Sequence, residues 1–174
     1  MQVKTPYLTK LVRNRRLELI EQEISHGMKI LDLGCGDGYL TKHLLSKGYD
    51  CIGVDKNITN NTYLRCEDIS ELSFPDNTFD CIIMIEVIEH IEPSNYSEIE
   101  RVIKPKGKII LTTPLPQFNW LVELLANLGF VNSLKTAHIN LVHLSDLPKR
   151  WQLIKETRIF MIDQYGVFQV LKPY

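Results

Sequence analysis

Along the chain, short continuous apolar runs alternate with stretches in which apolar residues recur every three or four positions, separated by polar turns bearing glycine or proline. Residues 30–33, 50–54, 81–85 and 108–113 form the runs and predict strands, whereas residues 7–25, 38–46, 93–103 and 117–128 carry helical spacing. The run at 81–85 is apolar throughout, which suits a strand covered on both faces, so the alternation predicts an α/β domain with a mainly parallel sheet.

Before the first strand, Leu8, Leu11, Val12, Leu17, Leu19, Ile20 and Ile24 predict one or two helices, stopped at His26 and Gly27. Arg13, Arg15 and Arg16 in that segment read as a solvated helix face rather than as contacts for an anionic substrate. After the second strand, residues 56–62 are polar, rich in Asn and Thr, and lack helical periodicity, although a parallel crossover ordinarily takes a helix. Seven residues at about 3.3 Å each reach about 23 Å, enough to return along a short strand. The spacing therefore predicts a shortened crossover between strands 2 and 3, with strand 3 at 63–66.

Farther on, Pro75 and Asn77 mark a turn between Phe74 and Phe79, and Pro93 opens a helix that buries Tyr96, Ile99, Val102 and Ile103. A turn at 104–107 precedes the fifth strand, which Pro114 and Pro116 end. Residues 117–128 predict an amphipathic helix with Trp120, Leu121, Leu124, Leu125 and Leu128 inward, followed by a loop at 130–142 on the substrate side of the pocket. A short helix is expected at 145–151, then two strands, 152–160 and 168–171, around a turn at 163–166.

The chemistry centres on the first strand and its turn, where Asp32, Gly34, Cys35, Gly36, Asp37 and Gly38 run directly into a helix. Glycines let the backbone bend tightly and approach a ligand with no Cβ in the way. The spacing is GxGxG; Tyr39 stands where the third glycine of a dinucleotide fingerprint would be, and Asp32 and Asp37 would repel a pyrophosphate. Two acids suit a cationic, donor-rich ligand instead. Asp55, at the end of the second strand, is placed to accept both hydroxyl hydrogens of a ribose.

With its strand, acids and helix, this stretch resembles the first motif of the class I S-adenosylmethionine-dependent methyltransferases. Residues 72–85 and 101–114 likewise resemble the small-molecule methyltransferase group that includes the ubiquinone-pathway O-methyltransferases. The resemblance implies a Rossmann-like, seven-stranded, mostly parallel sheet with helices on both faces and a C-terminal antiparallel hairpin. It implies one domain over residues 1–174, with N-terminal helices in 1–28 and the core in 29–174, and S-adenosylmethionine as cofactor. Asp32, Gly34 and Gly36 would hold its methionine end, Asp55 the ribose and Asp68 the adenine, with Asp37, Gly38, Lys56, Ile69, Ile85 and Glu86 around them.

After the fourth strand, Glu86, Glu89 and His90 would share one face if the segment coils, and could bind a divalent cation, with Mg²⁺ suited better than Zn²⁺. The same phrase supplies metal ligands in some relatives with a later histidine, for which His138 is the candidate and His143 the alternative. Without a metal, His90, His138 or His143 could serve as general base. The [NDS]PP[YFW] motif of methyltransferases that act on DNA amines is missing after the fourth strand, so no DNA substrate is expected.

Composition narrows the picture further. The 174 residues carry a net charge of −1 with acids and bases interspersed, which gives no general attraction to nucleic acid or anionic membrane. The longest apolar run falls far short of a bilayer span, and no secretion signal is evident, so a cytoplasmic location is expected. Cys35, Cys51, Cys66 and Cys81 lie singly in apolar or glycine-rich segments and read as small buried side chains. The expected activity is methyl transfer to a small-molecule or RNA-sugar acceptor, at oxygen, by a monomer or homodimer. An N-methyltransferase and a non-catalytic S-adenosylmethionine-binding subunit are the alternatives.

Overall fold

The computed structural model describes residues 7–115, 120, 124, 128, 142–160 and 163–172. Helix α1 (Tyr7–Glu21) leads into β1 (Lys29–Leu33), followed by α2 (Tyr39–Ser46), β2 (Asp50–Val54), β3 (Leu64–Arg65) and β4 (Phe79–Ile85). Two short 3-10 turns, Ile88–His90 and Pro93–Asn95, then lead to α3 (Tyr96–Val102), β5 (Ile103–Pro114), a further 3-10 turn at Leu144–Asp146, and the hairpin of β6 (Trp151–Ile159) and β7 (Asp163–Val170).

The strands form one seven-stranded sheet in the order β3-β2-β1-β4-β5-β7-β6. Strands β1 to β5 pair in parallel, whereas β7 runs antiparallel to both β5 and β6. Side chains alternate across the sheet, and two apolar layers result. Leu31, Leu33, Ile82, Met84 and Leu111 pack on one face with Ile99 and Val102 of α3. Ile30, Ile83, Ile110 and Val167 pack on the other with Leu17 and Ile20 of α1 and Leu40 and Leu44 of α2. The Tyr165 hydroxyl donates to Leu19 O at 3.0 Å, tying the hairpin to α1.

The shortened crossover is present: residues 55–63 contain no helix. Asn61 takes the helix's place, its Oδ1 accepting from the amides of Tyr63 and Leu64 at 2.9 Å each. Strand β3 is reduced to Leu64 and Arg65 because only Gly53 and Val54 of β2 pair with it. Arg101 holds the turn before β4, donating to Leu72 O at 2.8 Å and Phe74 O at 2.7 Å.

Several local expectations give way to tertiary pairing. The turn expected at 104–107 lies inside β5; Lys106 adopts φ +62° and the β4–β5 register shifts between Phe79 and Cys81, so the irregularity is absorbed within the ladder. Strand β6 ends at Ile159 and β7 begins at Asp163, so Tyr165 and Gly166, expected in the turn, are buried mid-strand against β5. The helix expected at 145–151 is a single 3-10 turn, because Trp151 starts β6. Trp120, Leu124 and Leu128, expected inward, are exposed; their spacing shares a helix face, but that face meets solvent. Leu121 and Leu125 and the loop expected at 130–142, apart from Val142, lie outside the described residues. Of the cysteines, Cys66 is exposed and the other three are buried.

Candidate functional site

The glycine turn joins the carboxyl ends of β1 and β2, with the amides of Gly34 and Cys35 donating to Val54 O at 2.8 and 2.9 Å. Gly34 holds φ +76°, and a Cβ there would lie 2.4 Å from Val87 Cγ2. Absence of a side chain therefore lets the segment after β4 pack directly on the turn. Gly36 holds φ +53° with nothing within 4 Å of where its Cβ would be, so one stretch of main chain faces open space.

The acids around this turn divide into two kinds. Asp32 is buried, and its Oδ2 accepts from the Thr41 amide at 3.1 Å and the Thr41 hydroxyl at 2.6 Å. It thereby satisfies an otherwise unpaired donor in the first turn of α2. Burial lifts its carboxyl to about 6, with Asp55 and Asp37 adding repulsion and the Thr41 bonds opposing. Asp55 is half-buried, accepting from the Gly36 amide at 3.0 Å and the Asn57 amide at 2.8 Å. Asp37 is exposed and accepts from the Tyr39 amide at 3.0 Å, Lys56 is exposed beyond β2, and Ile85 is half-buried at the end of β4.

Asp68, exposed past β3, accepts at one oxygen from the Ser70 amide at 2.9 Å and hydroxyl at 2.7 Å, and these bonds hold it below its usual value. Ile69 packs on the core beside it. Gly34, Gly36, Gly38, Asp32, Asp37 and Asp55 thus gather at one sheet end, and Asp68 follows β3 on the same side.

The segment after β4 does not coil as the ExxEH spacing suggested. Glu86 holds φ +55°, outside the right-handed helical region, and only Ile88–His90 form a 3-10 turn. Glu86 consequently turns to α1, accepting from Arg16 Nη2, while Glu89 is fully buried. Arg16 Nη2 also donates to Asp163 Oδ2 at 2.6 Å. Arg16 is itself buried, which corrects the expectation of a solvated basic face, although Arg15 is exposed and pairs with Glu18 at 2.9 Å. Arg13 lies 4.8 Å from the Tyr39 ring centroid, so α1 spans from the glycine turn to β7.

Electrostatics around Arg16 follow from this burial. Desolvation pulls the guanidinium down, but Glu86 and Asp163 outweigh it and raise it above its ordinary value. Asp163 is lifted to about 6 by burial and by Glu86, against the pull of Arg16. Burial pushes Glu89 to about 7, with Glu86 and Asp163 adding repulsion. The Thr113 hydroxyl lies close enough to Glu89 to favour its carboxylate, but among the described residues neither the Glu89 oxygens nor the hydroxyls of Thr112 and Thr113 complete a hydrogen bond of normal geometry.

Of the expected Mg²⁺ ligands only Glu86, Glu89 and His90 fall among the described residues, and among the described residues no group of three or more His, Cys, Asp or Glu is placed to hold a metal ion. Glu86 is instead paired with the Arg16 guanidinium, which it shares with Asp163. His90 is half-buried on the 3-10 turn, His143 is exposed before Leu144, and His138 lies outside the described residues. The sequence reading missed Arg16, Asp163, Thr112 and Thr113. A signal for Arg16 existed, because it precedes buried Ile20 by four residues, one turn earlier on the same face of α1.

A family model described as a methyltransferase domain matches residues 6–154. An uncharacterized protein of Methanocaldococcus jannaschii is 37% identical over 125 residues, covering 61% of this chain and 53% of that protein. A ubiquinone biosynthesis O-methyltransferase of Coxiella burnetii is 34% identical over 119 residues, covering 59% of this chain and 51% of the relative. The chain thus spans about half the length of these relatives. The crystal structure of a SAM-dependent methyltransferase from Methanosarcina mazei superposes with a TM-score of 0.60 at 20% identity, covering 88% of this chain and 97% of that one. No helix among the described residues is long and apolar enough to cross a membrane.

Proposed function

Because the chain belongs to the class I S-adenosylmethionine-dependent methyltransferases, we propose that it methylates a small-molecule acceptor at the end of the sheet where the glycine turn and the segment after β4 meet. The observation that carries this reading is the bond from the Gly36 amide to Asp55 Oδ2, which holds a carboxylate against open main chain. Ribose hydroxyls can donate to the lone pairs that Asp55 keeps free, and a methionine chain can lie along the bare backbone at Gly36, beside the turn that Gly34 lets pack on Val87. Asp68 and Ile69 would receive the adenine, with Asp37, Gly38, Lys56 and Ile85 completing the border.

Asp32 acts in this reading as a positioning residue. Its carboxylate is engaged by Thr41 and sets α2 relative to the turn. Gly53 supports the arrangement, since a Cβ there would fall 2.4 Å from Thr41 Oγ1. When bound, S-adenosylmethionine supplies a methyl group already electrophilic on a cationic sulfur. Protein residues then need to orient the acceptor and exclude water.

Titration calorimetry with S-adenosylmethionine and S-adenosylhomocysteine tests the reading. Binding of both is expected, weakened at least tenfold by Asp55→Ala. Absence of heat with either ligand, in protein shown to be folded, would overturn it.

A further inference from the structure

We propose that two copies of the chain join through the β6 edge of the sheet, antiparallel about a two-fold axis at Thr157, so that one sheet runs through both. Strand β6 ends the sheet, paired with β7 on one side and with no strand among the described residues on the other. Such an edge offers a row of unpaired amides and carbonyls to any strand that fits it. The β6–β7 register shifts between Leu153 and Lys155, which spoils the start of β6 for further pairing and leaves residues 155–159 regular. Exposed apolar side chains bracket that regular part, Leu153 and Ile154 before it and Phe160 after it.

Charge order says which strand fits. Lys155, Thr157 and Ile159 stand opposite Val167, Tyr165 and Asp163, on the face that packs toward α1; Glu156 and Arg158 stand opposite Gly166 and Gln164, on the other face. A lysine on an edge strand ordinarily discourages pairing. Here the Lys155 Nζ donates to Glu23 Oε1 at 2.7 Å, so its charge is already compensated within the chain. Glu156 and Arg158 are exposed, and neither side chain has an ion-pair partner among the described residues.

Two identical antiparallel strands related by a two-fold axis set one residue opposite itself and exchange the residues on either side of it. Centring on Lys155, Glu156 or Arg158 would place like charges opposite each other, which is destabilising. Centring on Thr157 places threonine opposite threonine and Glu156 opposite the partner's Arg158, twice over by symmetry. The same centre is the midpoint of the regular residues 155–159, and it brings Ile154 beside the partner's Phe160 at each end of the ladder. A strand of some other protein would need no such self-complementary order, so a second copy is the occupant. Antiparallel joining reverses strand direction, which sends the two glycine turns to opposite edges of the joined sheet and leaves each copy its own site.

The test is light scattering and sedimentation of the full chain over a concentration series. A concentration-dependent dimer is expected. Glu156→Arg alone and Arg158→Glu alone should each weaken it by roughly tenfold or more, since each sets like charges opposite at two places. The two single variants mixed together should associate with each other, and the double exchange in one chain should restore the dimer. Circular dichroism confirms that the variants fold. Should a reversal fail to fold, Thr157→Cys in a Cys66→Ser background is expected to link two chains at position 157 on mild oxidation. A chain that stays monomeric to its highest soluble concentration, a dimer that either reversal leaves at wild-type strength, failure of the mixed variants to associate, or absence of the link where that variant is used would overturn the proposal. Binding of S-adenosylmethionine is read separately on the same samples, and its failure would bear on the methyltransferase reading alone.

Discussion

Arg16 on α1 and Asp163 at the start of β7, 147 positions apart in sequence, meet through a 2.6 Å bond from Nη2 to Oδ2. The same nitrogen reaches Glu86 beyond β4, so one buried guanidinium fastens the N-terminal helix across two strand ends. Removing one partner of such a buried set leaves charge uncompensated.

Arg16→Met should therefore cost about 3–5 kcal/mol at pH 8, measured by urea unfolding. The cost should shrink toward pH 5. Without Arg16, folded Asp163 binds its proton more tightly than the unfolded chain does, and protonation relieves the unpaired charge. A loss below about 1 kcal/mol at pH 8, in the range of exposed pairs, would show that the bridge stabilises nothing.

Glu89 predicts a second pH effect. Burial raises it from 4.5 to about 7, and raises Asp32 and Asp163 from 3.8 to about 6. Folded forms of all three hold protons that the unfolded chain releases, so their contributions make stability fall as pH rises from about 4 to 7. Below that window both states are protonated and the penalty is absent. Glu89→Gln should match wild type near pH 4.5 and exceed it by roughly 2–4 kcal/mol at pH 8. Denaturant midpoints across this range check it, and a variant weaker than wild type at pH 8 would contradict it.

Gly34 and Gly36 should respond differently to alanine. At Gly34 the left-handed backbone and the 2.4 Å approach to Val87 combine, so Gly34→Ala should lose about 2–5 kcal/mol of stability, partly restored by Val87→Ala. Gly36→Ala meets no neighbour and should lose only about 1 kcal/mol, the cost of its positive φ. Its larger effect is expected on affinity for S-adenosylmethionine, because the added methyl occupies the open side of the turn. Thermal unfolding and calorimetry on the same samples separate the two.

Asp55 and Asp68 should divide the nucleoside between them. Replacing either by Ala removes charged hydrogen bonds worth about 1.5–3 kcal/mol each, or roughly 10–100-fold in affinity. Asp55→Ala should weaken adenosine, which carries both ribose hydroxyls, far more than 2′,3′-dideoxyadenosine, whereas Asp68→Ala should weaken both equally. Competition against S-adenosylhomocysteine provides the measurement, and equal losses in both variants would remove the ribose assignment.

Sequence alone determined what depends on near neighbours. The glycine turn, strands β1, β2 and β4, the helix-free crossover and the antiparallel ending follow from local spacing, apolar runs and glycine placement, together with a family resemblance at those motifs. Tertiary structure alone decided what depends on another element supplying the partner. Arg16 turned inward because Glu86 and Asp163 wait at strand ends far along the chain. Glu86 and Glu89 parted because φ +55° at Glu86 breaks the helical phase that would have aligned them. Tyr165 and Gly166 became strand because pairing with β5 outweighed their turn preference. Periodicity records which side of a segment avoids water, whereas charge compensation and ladder register are properties of pairs, and they come into being only when the segments meet.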